Sequence, residues 1–182
     1  MKRNRKERNG VQLELVRPRM GHFKAVMAAD RDFESAGEEP YCGSRGRMGY
    51  FGWLAVVDRL SKPECMDYGS NPNEIWFLMS DDGSRILAFG QLRPYDTPDA
   101  LTWAGHIGYS VPPSERGHGY AQETLKRLLQ MGFDRGMERI LLTCDVDNDP
   151  SRHIIEKAGG VFSGFYRDEE YNKRLYWFTK KG

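Results

Sequence analysis

The sequence predicts an α+β fold of three layers (α/β/α), with a mixed, mostly antiparallel central sheet that holds one parallel βαβ pair. Three observations carry this. Asp82-Gly83 between the apolar runs Ile75 to Met79 and Ile86 to Leu92 is a strong hairpin signal, so the first half of the sheet is antiparallel. A β-prone run ending at Pro112-Pro113, a helical repeat from Gly119 and the short apolar run Ile140 to Cys144 read as strand, helix, strand, hence a parallel pair with a right-handed crossover. Val161 to Tyr166 and Asn172 to Phe178 then make a closing antiparallel pair.

Taken in order, residues 1 to 10 hold five basic side chains and one acid with nothing apolar after Met1, which predicts a mobile basic tail ahead of a single domain spanning 11 to 182. Val11 to Val16 alternates apolar and polar side chains as a half-buried strand does, and Arg17-Pro18 ends it. A helix follows, with Met20, Phe23, Val26 and Met27 as its apolar stripe. Residues 35 to 49 contain four glycines and a proline and read as a long surface loop. Helical spacing returns through Tyr50, Trp53, Leu54, Val57 and Leu60, and 62 to 73 is a second irregular stretch. The strand before Pro112 is expected to run from Thr102 to Val111. In the next helix Ala121, Leu125, Leu128 and Leu129 form the buried stripe, Glu123 pairs with Arg127 one turn on, and Gly136 occupies the C-terminal cap. Asp149 is expected to cap the last helix with Pro150 at its first position, and Gly159-Gly160 to end it near Ala158.

Composition narrows the function. The chain has 182 residues, 39% of them apolar and 12% aromatic, enough to bury a core in one domain. Lys plus Arg number 27 against 26 Asp plus Glu, so a net charge of +1 gives no general attraction to nucleic acid or anionic membrane. The basic tail lacks interleaved aromatics that could stack on bases. No run of about twenty apolar residues exists, and no apolar stretch follows the N-terminal charges as a secretory signal requires. Cys42, Cys65 and Cys144 are widely spaced and odd in number, which fits neither a disulfide framework nor zinc spacing and points to the cytoplasm. No metal site is expected.

The chemistry gathers at the strand-to-helix junction Arg116-Gly117-His118-Gly119-Tyr120-Ala121. Two glycines let backbone approach a ligand, and a helix that starts there aims unpaired N–H groups and its positive dipole end at it, which suits a phosphate or pyrophosphate. The Walker loop needs a Lys followed by Ser or Thr, absent here, and Gln122 stands where the dinucleotide fingerprint needs its third glycine.

This junction resembles the acyl-coenzyme-A binding core of the GNAT superfamily of N-acetyltransferases. The family signature is Arg or Gln, two variable residues, Gly, one variable residue, then Gly or Ala, and Arg116, Gly119 and Ala121 fill it. The strand ending in Val111 and the later set Asn148, Ser151, Glu156, Lys157 and Gly159 match as well, so the clear likeness runs roughly from Gly105 to Gly160. One departure stands out. Many members carry a Tyr seven residues after the Asn, thought to protonate the departing thiolate, and here that place is Ile155.

The resemblance implies an acetyl-CoA-dependent N-acetyltransferase in which a neutral primary amine attacks the thioester directly. It places the diphosphate on the backbone of Arg116, Gly117, His118, Gly119, Tyr120 and Ala121, the pantetheine arm and acetyl carbonyl along Tyr109, Ser110 and Val111, and further contacts at Asn148 and Ser151. Glu38, Glu39, Tyr41 and Trp53 fall where the family walls its acceptor site. His106, on the strand facing the thioester and titrating near neutrality, is the candidate general base. The general acid stays open among Tyr109, Tyr166, Tyr176, Ser151 and water. A coenzyme-A sensor without turnover and a nucleic-acid module using the basic tail are the alternatives, and the sequence is compatible with a homodimer.

Overall fold

The computed structural model describes residues 6–8, 11–40 and 49–180. Its elements run β1 (Lys6–Arg8), β2 (Val11–Val16), α1 (Phe23–Ser35), α2 (Gly49–Leu60), β3 (Glu74–Met79), β4 (Ile86–Leu92), β5 (Ile107–Ser110), α3 (Tyr120–Asp134), β6 (Arg139–Asp145), α4 (Asp149–Lys157), β7 (Val161–Arg167) and β8 (Asn172–Thr179). The eight strands form one sheet in the order β1-β2-β3-β4-β5-β6-β8-β7. All neighbours are antiparallel except β5 and β6, the parallel pair the sequence predicts. Within the expected N-terminal tail, 6–8 pair with β2 as a strand, and the rest of that tail lies outside the described residues.

Two apolar clusters, one on each face of the sheet, make the three layers. On one face Val26 and Phe33 of α1 and Trp53 and Val57 of α2 pack against Ile75, Phe77 and Phe89. On the other, Leu125, Leu128 and Leu129 of α3 and Ile155 of α4 cover Ile107, Leu142 and Tyr176. Leu125, Leu128 and Ile155 are fully buried, each contributing about 1.5–3 kcal/mol of hydrophobic stabilisation.

Three local expectations are corrected. The strand expected over 102–111 begins only at Ile107, because Thr97 to Ala104 fold into a turn closed by Leu101 N–H to Thr97 O and Ala104 N–H to Asp99 O, and Gly105 takes φ +66°. Local hydrogen bonds to Asp99 and Pro98 here outweigh the β preference of Thr102 and Trp103. In the first helix Met20 and Phe23 are exposed, because residues 20–22 form a 3₁₀ turn whose tighter winding shifts the buried stripe to Val26, Ala29 and Phe33. At α4 the cap is Asn148, one residue earlier than expected, its Oδ1 accepting the Ser151 N–H at 3.0 Å.

Candidate active site

The parallel seam is short. β5 and β6 share one register pair, Ile107 with Leu142, reinforced by the His106 N–H donating to Leu141 O at 2.7 Å, and the strands have no further register pair toward their C-terminal ends. A cleft of about 320 Å³ lies there, lined by Gly108 and Tyr109 of β5, Thr143 to Asp145 of β6, and Asn148 and Ser151 at the start of α4. Open parallel edges at strand C-termini are where α/β sheets bind ligands.

Tyr109 spans this cleft. Its ring packs with the α3 and α4 cluster and its hydroxyl meets Ser151 Oγ at 2.9 Å. Burial pushes the phenol up to about 12 while the Ser151 hydrogen bond works against it, so it stays protonated at neutral pH. Cys144 also lines the cleft, but burial raises its thiol, so it offers no ready thiolate. On the face away from α3 and α4, Trp103 stacks on Tyr171 at 4.4 Å between ring centroids, and Lys173 Nζ donates to Asp145 Oδ1 at 2.6 Å. These side chains come from segments far apart in the chain, and no local motif marks them.

The glycine junction lies at the N-terminus of α3. Gly117 and Gly119 adopt φ +81° and +79°, and a Cβ at Gly117 would project into open space, so the loop there presents bare backbone. The first amide bonded into the helix is that of Glu123, accepted by Gly119 O, leaving the amides of Gly119, Tyr120, Ala121 and Gln122 without intrahelical acceptors. Three ties hold this loop. The Arg116 guanidinium grips Glu38 at 2.7 and 2.5 Å and reaches Val111 O at 3.2 Å, the Ser114 amide and hydroxyl both donate to Asp32 Oδ2, and Glu115 accepts from Arg85 at 2.7 Å. Arg116 is therefore spent on the loop itself. His118 stacks on Tyr120 and its Nδ1 lies 3.2 Å from Glu115 O.

Of the expected site residues, Tyr109, Asn148 and Ser151 share the cleft, 116–121 form the loop, and Ser110 and Val111 join the two. At the other expected positions the structure shows what each described side chain is engaged with. His106 is fully buried, its Nδ1 accepting the Leu141 N–H at 2.9 Å and its Nε2 2.9 Å from Asp96 Oδ1. With Nδ1 an acceptor, Nε2 carries the proton, and no lone pair is left to take one from a substrate. Burial lowers the His106 pKa against the opposing pull of Asp96. Trp53, expected against an acceptor, is buried between Tyr50 and Phe77, and Glu38 is bound to Arg116. Glu39 is exposed, and Tyr41 lies outside the described residues. Among the candidate acids, Tyr166 is bonded to Asp168 on the outer strand β7 and Tyr176 to Glu156 in the core, neither lining the cleft. No cluster of three or more His, Cys, Asp or Glu among the described residues is placed to hold a metal, and no described helix is long and apolar enough to cross a membrane.

Comparison with known proteins agrees with this geometry. The chain is 34% identical over 62 residues to an uncharacterized N-acetyltransferase of Bacillus subtilis (strain 168), covering 34% of this chain and 36% of that one. It is 24% identical over 92 residues to the ribosomal-protein-serine acetyltransferase of Escherichia coli (strain K12), covering 50% and 48%. The matches thus span about a third to a half of those relatives. Among solved structures, a ribosomal L7/L12 alpha-N-protein acetyltransferase in complex with coenzyme A superposes with a TM-score of 0.66 at 16% identity, over 92% of this chain and 93% of that one. The profile of the acetyltransferase (GNAT) family matches residues 45–160, which takes in the cleft strands and the whole glycine junction, and the chain belongs to that family.

Proposed function

We propose that this protein transfers the acetyl group of acetyl-CoA to a primary amine by direct attack in a ternary complex. The observation that carries it is the pairing of an open glycine loop at the α3 N-terminus with a cleft where β5 and β6 part, the two surfaces joined by 110–111. The amides of 117–122 and the dipole of α3 hold the diphosphate, Asn148 and Ser151 border the pantetheine arm, and the edge of β5 beyond Ile107 offers backbone donors to the acetyl oxygen. Acetyl-CoA supplies the activated thioester. The chain's work is to align the amine with it, which can account for much of the rate.

The acceptor enters on the side of the Trp103–Tyr171 stack, beside Asp145 and Lys173. With His106 buried and doubly bonded, water takes the amine proton. An α-amine of a protein or peptide is the acceptor class favoured by the substrates named for two of the matched proteins. The free thiols Cys65 and Cys144 are in keeping with a reducing cytoplasm.

Free thiol released from acetyl-CoA is the direct assay, run against peptides with varied N-terminal residues, polyamines and small primary amines. Release with at least one amine, fastest with peptide N-termini, is expected. Calorimetric binding of acetyl-CoA with no release across the panel would instead make the protein a coenzyme-A sensor.

A further inference from the structure

Breaking a thioester leaves a sulfur anion, and something in the cleft must receive it. The α4 position occupied by Ile155 contributes no proton donor, since that side chain is fully buried in the apolar cluster. One turn earlier on the same helix Ser151 faces the cleft, and the hydroxyl of Tyr109 reaches it from β5. The hydroxyl also lies 3.4 Å from Ser151 O. α3, whose N-terminus bears the glycine loop, packs on the same sheet face as α4, so a ligand running from that loop into the gap between β5 and β6 passes the Tyr109–Ser151 pair.

We propose that Tyr109, oriented by Ser151, is a catalytic residue that donates its hydroxyl hydrogen bond to the departing sulfur. This rests on the acetyltransferase reading above. The amine nitrogen forms the new C–N bond, the C–S bond breaks with its electron pair going to sulfur, and the proton lost by nitrogen goes to water. Sulfur, held by the Tyr109 O–H, is protonated from solvent, so no oxidant or reductant is involved. A phenol this weakly acidic keeps its proton and works as a donor at all ordinary pH values. Ser151 sets the direction of that O–H and is a positioning residue.

The test uses Tyr109→Phe, which keeps the ring packing, and Ser151→Ala. With acetyl-CoA and an accepted amine, Tyr109→Phe is expected to lower kcat by roughly a hundredfold at nearly unchanged coenzyme-A affinity, and Ser151→Ala to lower it less. With an acetyl ester of a much more acidic aromatic thiol, whose anion needs little help, the deficit should largely vanish. A second readout needs no turnover. The thiol of bound coenzyme A, followed by thiolate absorbance, should titrate at lower pH in the wild type than in Tyr109→Phe. An equal loss with both donors, an unchanged kcat, or identical thiol titrations would overturn the assignment. A wild type that releases no thiol with any amine would defeat the acetyltransferase reading, and the thiol titration would still decide the contact between Tyr109 and sulfur.

Discussion

At the residue scale, His106 sits between Asp96 and the Leu141 amide, and protonating Nδ1 would break the second of these bonds. Burial holds its pKa below 6.5, with Arg93 and Arg139 lowering it further and Asp96 pulling upward. The sign follows from proton counts. Between the depressed folded pKa and the ordinary value near 6.5 the unfolded chain binds more protons, so this residue's contribution is complete above that range and is lost as pH falls. We therefore expect the melting temperature to fall from pH 7.5 toward 5, and to fall less steeply in His106→Gln. His106→Ala should lose roughly 1–3 kcal/mol, since it strands a buried amide, while turnover per folded molecule stays close to wild type. A drop in kcat of about a hundredfold with an unchanged melting temperature would return the general-base role to His106.

At the scale of elements, α3 and α4 make opposite demands on their first residues. α3 starts from a left-handed glycine with no side-chain cap for its first amides, whereas α4 satisfies an amide of its own through Asn148. Gly119→Ala should cost about 1–2 kcal/mol of backbone strain at φ +79° and add a methyl at the head of α3. Acetyl-CoA affinity measured by calorimetry on the folded fraction should then fall about tenfold or more, the equivalent of about 1.4 kcal/mol. Unchanged affinity would remove the loop from the binding site. Asn148→Ala should lower stability by about 1 kcal/mol in chemical denaturation, as lost N-caps do. A variant as stable as wild type would show that the cap contributes nothing to α4.

At the scale of the whole molecule, the cleft exists because a short parallel seam joins two antiparallel halves of one sheet. Gly105 sets how closely the turn before β5 can approach β6. A Cβ there would lie 3.0 Å from Leu141 O and 3.2 Å from Thr143 N, on a backbone already at φ +66°. Gly105→Ala should therefore destabilise by more than the roughly 1–2 kcal/mol of left-handed strain alone, and should widen the seam that frames the cleft. Faster amide exchange at His106 and Ile107, alongside the lower melting temperature, is the expected signature. Exchange as slow as in the wild type would mean that the seam tolerates the methyl.

The element order from β2 onward, the hairpin at Asp82-Gly83, the Glu123–Arg127 pair, the Gly136 cap and the glycine junction were all legible in the sequence, because each depends on periodicity, turn chemistry or neighbours within one helical turn. What each polar group does there was not. Whether His106 faced solvent or the Leu141 amide, whether Arg116 met an anion or Glu38, and that Tyr109 would meet Ser151 all depended on contacts between residues 35, 78 and 42 positions apart. Spacing along the chain carries no information on such distant pairings. The packing of helices on the two faces of the sheet decides them, and with them which side chains the cleft receives.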